Sequence, residues 1–167
     1  MVLDVVMSRQ RGYETRVLPA VRPFTENGFT LRDLVASPPD RAQLGLMAGE
    51  QATMVGVAEG LLAFARDEGI DDEDEACREW AKRAAGLAHA FRCEERVGGV
   101  KGIGLALFCY LQMRSGGDGV KPDGRVRASL RGQGFPCPKD PHAVLTVAQA
   151  AAAELQVSQL WLDQLLW

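Results

Sequence analysis

Two short stretches of the chain carry residue types at spacings that could do chemistry. In Val97-Gly98-Gly99-Val100-Lys101-Gly102-Ile103-Gly104, the glycines on either side of Ile103 allow a tight turn with exposed backbone amides, and Ile103 can tuck between helices. An apolar helix is expected from about Leu105 to Met113. Amides at a helix N-terminus suit a phosphate, and Lys101 adds positive charge beside them. In the second stretch, Ser115-Gly116-Gly117-Asp118-Gly119-Val120-Lys121-Pro122-Asp123, an acidic residue leaves a glycine- and proline-rich loop directly before a basic helix, Arg125 to Arg131. A carboxylate at 123, between Lys121 and Arg125, can stabilise positive charge developing beside it. Its plainer role is to cap the following helix, since Asp is a favoured N-cap, and the two roles can coexist.

Composition excludes several classes. The 167 residues hold 19 Lys+Arg against 22 Asp+Glu, a net charge of −3, so no overall basic field announces a polyanion. Distribution matters more: between Arg114 and His142 there are six Lys+Arg and three Asp, a local balance of +3. From Arg66 to Arg96, ten carboxylates face six Lys+Arg, which reads as a solvated helix surface. Apolar runs such as Ile103 to Leu111 are about half the roughly 20 residues a membrane helix needs. The start of the chain lacks the flank, apolar run and cleavage site of a secretory signal. Cys77, Cys93, Cys109 and Cys137 lie 16, 16 and 28 residues apart, and two histidines add no zinc spacing. Reduced, mostly structural thiols in a cytoplasmic protein are expected, with no metal and no cofactor.

The elements that must position these stretches read as helical almost throughout. Val2, Val5, Val6 and Arg9 begin a first helix that should fade near Arg11-Gly12. Tyr13 to Phe24 places Val17, Leu18 and Val21 on one side, with Pro19 starting a new helix or bending this one. Thr30 should cap a short helix that stops before Ser37-Pro38-Pro39. Gln51 to Glu68 carries Met54, Val57, Leu61, Leu62 and Ala65 at helical spacing, with Gly69 as a stop. Asp71 to Glu75 enters a further helix expected to run to about His89 or Phe91, with His89 as a satisfied core histidine. Val144 to Leu155 and then Trp161 to 167 complete the chain, with Ser158 as a cap and Leu162, Leu165 and Leu166 holding the last helix down. Trp80, Trp161 and Trp167 read as packing residues.

Taken together, the hairpin Val100-Lys101-Gly102-Ile103-Gly104, the helix after it and the loop Val120-Lys121-Pro122-Asp123 resemble the helix-hairpin-helix (HhH-GPD) base-excision DNA glycosylases, the superfamily that includes endonuclease III. The signature there is a hairpin of the type Leu-Pro-Gly-Val-Gly, a helix, a Gly/Pro-rich loop and an essential Asp. The separation of Gly104 and Asp123 is within about one or two residues of the family's, and Met7-Ser8-Arg9-Gln10 resembles the helix end whose Gln or Asn fills the gap left by an extruded base. The resemblance implies one all-α domain over 1–167, a helical bundle of the DNA glycosylase type, with the hairpin at about 97–113 and the Asp loop at 115–124. It implies that Asp123 is catalytic and that Gln10, Lys101, Gly102, Ile103, Gly104 and Arg125 contact DNA, with Arg9, Arg11, Arg127 and Arg131 as further supports. Tyr13 could stack on a base, and Asp4 could add a second acid.

Departures from the family pattern refine this. Where strand-cutting members carry a Lys after the hairpin, this chain has Ala106, which cannot form a Schiff base, so lyase chemistry by that route is not expected. Phe108 replaces a small residue. Only Cys137 follows the catalytic helix, too few for an iron–sulfur cluster. The N-terminal padding usual in the family is expected to be missing or very short. The implied activity is a monofunctional DNA glycosylase, a monomer acting on double-stranded DNA that contains a modified base, with no membrane, in the cytoplasm and at the nucleoid when bound. The alternative is a non-catalytic helix-hairpin-helix module that binds DNA or a partner. A third reading is a helical interaction protein whose Gly-Ile-Gly turn is only a connector.

Overall fold

The structure is a computed structural model that describes residues 1–166. Trp167 lies outside the described residues, and with it the packing role expected there. Every regular element among the described residues is helical. In chain order these are α1 (Val2–Met7), a π turn (Tyr13–Val17) running into α2 (Leu18–Glu26), α3 (Leu31–Ala36), α4 (Arg41–Leu44), α5 (Glu50–Glu68) and α6 (Glu73–Ala84). A 3-10 segment (Ala88–Cys93), α7 (Leu105–Arg114), α8 (Gly124–Gly132), α9 (Pro141–Leu155) and α10 (Gln159–Leu165) follow. No helix among the described residues is long and apolar enough to cross a membrane.

The central helix is α5, which packs against α1, α3 and α6. Met54, Val57, Ala58, Leu61 and Ala65, spaced three and four apart, are all buried on it, and Gly69 ends it in the left-handed conformation (φ +67°). Gly60 lets the backbone at Arg96 pack directly on α5, since a Cβ there would lie 2.0 Å from the Arg96 carbonyl oxygen. Thr30 and Asp33 form a capping box on α3. The Glu73 carboxylate accepts the Leu31 amide (2.6 Å), so part of the acidic run fastens two helices together.

The buried side chains form one continuous core. Phe108 is fully buried beneath the hairpin, edge-on to Trp80 (5.7 Å between centroids) and tilted against Phe91 (5.7 Å). Truncating such a ring costs about 4 kcal/mol. All four cysteines are free, and burial pushes the Cys77 and Cys109 thiols up to about 12, which makes them packing groups and not nucleophiles.

Several expectations need correction. The first helix ends at Met7, where Ser8 donates its hydroxyl to the Val5 carbonyl (2.7 Å) and the chain turns through Gln10 at φ +54°. Pro19 starts a new helix, one of the two outcomes expected of it. It sits in the first turn of α2, where a wide π turn hands over to α geometry. Helix α6 stops at Ala84, because Ala85 is extended and Gly86 takes φ +80°. The break resets the helical phase, so His89 is exposed, its ring stacked on His142 (5.5 Å). The hairpin is therefore preceded by turns and not by a regular helix. At the C-terminal end Ser158 caps α10 and Leu162 is buried as expected, whereas Trp161 and Leu165 are more than half exposed.

Candidate nucleic-acid site

The hairpin is held from below by α5. Thr53 donates its hydroxyl to the Lys101 carbonyl (2.9 Å), and Ile103 is 1% exposed, driven into the core between the two arms. Gly102 has φ +101°, and a Cβ there would lie 2.3 Å from the Thr53 hydroxyl, so only glycine suits this position. Lys101 is exposed at the tip. Gly104 is the N-cap of α7; its backbone is extended, no side chain caps the helix, and nothing lies within 4 Å of where its Cβ would be. The first turn of α7 thus faces open space with its amides forward.

Asp123 is the N-cap of α8. Its Oδ1 accepts the amides of Arg125 (2.8 Å) and Val126 (3.1 Å), while Oδ2 lies 3.6 Å from the Lys121 ammonium. Lys121 is buried, with its ammonium 3.1 Å from the Ser8 hydroxyl and 4.2 Å from the centre of the Tyr110 ring. Burial pulls its amine below the ordinary value against the opposing pull of Asp123 and Asp163. Two reciprocal bonds fix this loop against α10. Asp163 accepts the Lys121 amide (2.8 Å), and Asp118 accepts the Leu160 amide (2.8 Å). The last helix therefore anchors the loop that leads to Asp123, whose carboxylate is itself held by the α8 amides and Lys121.

The turn after α1 is pinned on both sides of Gln10. Arg9 donates to the Gly102 carbonyl, tying the turn to the hairpin. Arg11 reaches Glu50 through two bonds (2.9 and 2.8 Å) and the Gly45 and Met7 carbonyls as well. Glu50, at 0% exposure, also accepts the Met47 amide (2.8 Å). Despite that burial, the guanidinium and the amide hold its carboxyl below the usual value. Gln10 itself is exposed between these anchors.

A cavity of about 500 Å³ lies where these pieces meet, lined by Gln10, Tyr13, Ala106, Tyr110, Asp123 and Arg125 among others, with Lys121 in its wall. Three of the residues singled out from sequence, Gln10, Asp123 and Arg125, share this cavity, and Ala106 stands in it with only a methyl group. Tyr13 lines it too. Lys101, Gly102, Ile103 and Gly104 form the neighbouring hairpin, outside the cavity wall. Arg131 does not belong to the site, because its guanidinium is bonded to the Cys137 carbonyl (2.9 and 3.1 Å). Arg11 is committed inside the protein. Asp4 is sealed beneath the cavity, 3% exposed, paired with Arg114 (2.9 Å) and within 3.3 Å of the Tyr110 hydroxyl.

Sequence reasoning passed over Tyr110 and the Arg11–Glu50 pair. Tyr110 was within reach, since it follows Ala106 by one helical turn and so shares its face. Arg11 and Glu50 are far apart in the chain, and no local spacing connects them. No family model, curated protein or solved structure matches this chain.

Proposed function

We propose that this chain is a monofunctional DNA N-glycosylase that extrudes a modified base from a duplex and hydrolyses its N-glycosidic bond. The observation that carries this reading is the cavity in which two segments remote in sequence present a glutamine on a pinned turn and a helix-capping carboxylate with a cation two residues on, next to an uncapped helix N-terminus. The hairpin amides and Lys101 hold one phosphate, Gln10 fills the vacated stack, and the base enters the cavity. Asp123 spends Oδ1 on α8 and keeps Oδ2 for the sugar. As the bond from C1′ to the base nitrogen breaks, Oδ2 stabilises the cationic sugar, then takes a proton from the water whose oxygen bonds C1′, while the departing base takes up a proton. Ala106 offers no amine, so an abasic site is the product. The protein works as a monomer on duplex DNA, in the cytoplasm and at the nucleoid when bound.

A second reading, a non-catalytic helix-hairpin-helix module binding DNA or a protein partner, is favoured by one specific observation: Asp123 already serves as the cap of α8 through both amides. Duplexes each carrying one modified base separate the two. Under the first reading wild type yields cleavage only after alkali and Asp123→Asn yields none. Salt-sensitive duplex binding with no base release from any substrate supports the second and overturns the first.

A further inference from the structure

The two histidines of the chain are 53 residues apart and neither lines the cavity described above, yet the fold brings them together at the surface. His89 sits in the 3-10 segment and His142 in the first turn of α9, and their Nδ1 atoms are 3.2 Å apart. The other ring nitrogen of His89, Nε2, lies 3.3 Å from the side-chain carbonyl oxygen of Gln149. That oxygen only accepts, so Nε2 carries the ring hydrogen and the lone pair of His89 is on Nδ1, facing His142. A ring whose outer N–H is held by a carbonyl is the arrangement that orients a metal-binding histidine. Two imidazole nitrogens 3.2 Å apart, each bonded at about 2.0–2.1 Å, subtend about 100° at an ion, close to the tetrahedral angle. The surrounding charges suit a cation. Asp140 accepts the amides of His142 and Ala143 (3.3 Å each), and its carboxylate offsets the positive end of α9. Arg92, on the same segment as His89, is turned to the Gly98 carbonyl (3.0 Å) and the Phe91 ring.

We propose that His89 and His142 form a two-histidine site for a divalent cation of the zinc class, with water in the remaining coordination positions. Without an ion, the Nδ1–H of His142 donates to His89. On binding, that hydrogen moves to Nε2 of His142 through solvent, and each neutral ring gives the cation the lone pair of its Nδ1. A small turn of the two surface rings aims both lone pairs at one point. The ion staples the 3-10 segment to α9 and closes a loop that contains the hairpin, α7, Asp123 and α8, so it steadies that whole region from outside. The proposal does not depend on the glycosylase reading, and its test uses no nucleic acid.

The test is a calorimetric titration of zinc ion alone into the full reduced chain, followed by thermal melting with and without the ion. One zinc per chain is expected, with the thermal midpoint raised by about 5 °C at zinc 100-fold above its dissociation constant and the shift reversed by a chelator. His89→Ala and His142→Ala should each remove both the binding and the shift. Their metal-free melting points should stay close to wild type, since the pair lies at the surface. Gln149→Leu should lower zinc affinity about 10-fold, because it releases the His89 ring. Cys93→Ser, which deletes the one exposed thiol, should bind zinc as wild type does. Absence of heat and of any shift at millimolar zinc overturns the proposal. Undiminished binding in both histidine variants, loss of binding in Cys93→Ser, or one zinc per two chains overturns it as well. Wild-type affinity in Gln149→Leu removes Gln149 from the orienting role.

Discussion

Helices α7 and α8 begin from the same backbone geometry and are finished in opposite ways. Gly104 and Asp123 are both N-caps in extended conformation, at φ −113° and ψ 173° and at φ −101° and ψ −175°. Asp123 folds its carboxylate back onto two amides, whereas Gly104 has no side chain and open space in front of it. Residue type alone decides whether a helix start is available to a ligand or is closed by its own chain. An anion finds α7 open and α8 shut, and what α8 offers instead is the second carboxylate oxygen. The division of labour proposed above, phosphate at the hairpin and chemistry at Asp123, follows from this difference.

The largest effect that could break the comparison is at Asp123. Asn is as good a cap as Asp, because its amide oxygen can take the same two N–H groups. Asp123→Asn should therefore leave the thermal midpoint nearly unchanged while base release falls by about 1,000-fold. Asp123→Ala should lose both, with about 1 kcal/mol of stability gone as well. If Asn and Ala variants release base like wild type and differ only in melting temperature, the carboxylate is a cap and nothing more.

A third helix start shows how an uncapped end can be satisfied from a distance. Gly49 gives α5 no side-chain cap, but Glu50 in the first turn takes Arg11 and the Met47 amide in a site with no exposure. Replacing Glu50 by Gln leaves the Arg11 guanidinium poorly matched and should cost about 3 kcal/mol in urea unfolding. Because the Glu50 carboxyl is held below its ordinary 4.5, its contribution is present above that pH and is lost as pH falls through the lowered value. Wild type should therefore lose stability more steeply than Glu50→Gln on going to about pH 3. Parallel acid curves for the two proteins would show that the pair is not held in solution. The pair also carries Gln10, so the variant should lose base release beyond what its fraction unfolded accounts for.

What was legible in the sequence was whatever local spacing governs. The α5 stripe, the Thr30 and Ser158 caps, the Gly69 stop and the helix that follows Gly104 are short-range patterns, and all lie where the spacing implied. Phase across a break was not legible. The helical face that makes His89 look buried ends at Ala85-Gly86, and the residue emerges on the surface against His142. Nor were partners remote in sequence, since Asp163 on α10 fixes the Lys121 amide and Glu50 fixes Arg11. Exposure of Trp161 and Leu165 is a property of what fails to pack on them, and no pattern within α10 reports that.

The smallest effects sharpen the comparison most, because they separate holding the hairpin from using it. Gly102→Ala forces a side chain into φ +101° and against Thr53, and should cost about 2 kcal/mol of stability, with duplex affinity falling as the hairpin distorts. Gly104→Ala meets no neighbour and adopts an ordinary extended backbone, so its melting temperature should hold. Its methyl stands in the open space before α7, so duplex affinity should still drop by about 1 kcal/mol, the size of a helix-end contact to an anion. Lys101→Ala should lower affinity by a similar amount and also reduce the slope of log affinity against log salt by about one, as loss of a single phosphate contact does. Gly104→Ala should leave that slope closer to wild type, because it removes fixed dipoles and no counterion-releasing charge. A change of slope in neither variant would mean that duplex DNA does not sit at the hairpin, and the open start of α7 would then be only a feature of the turn.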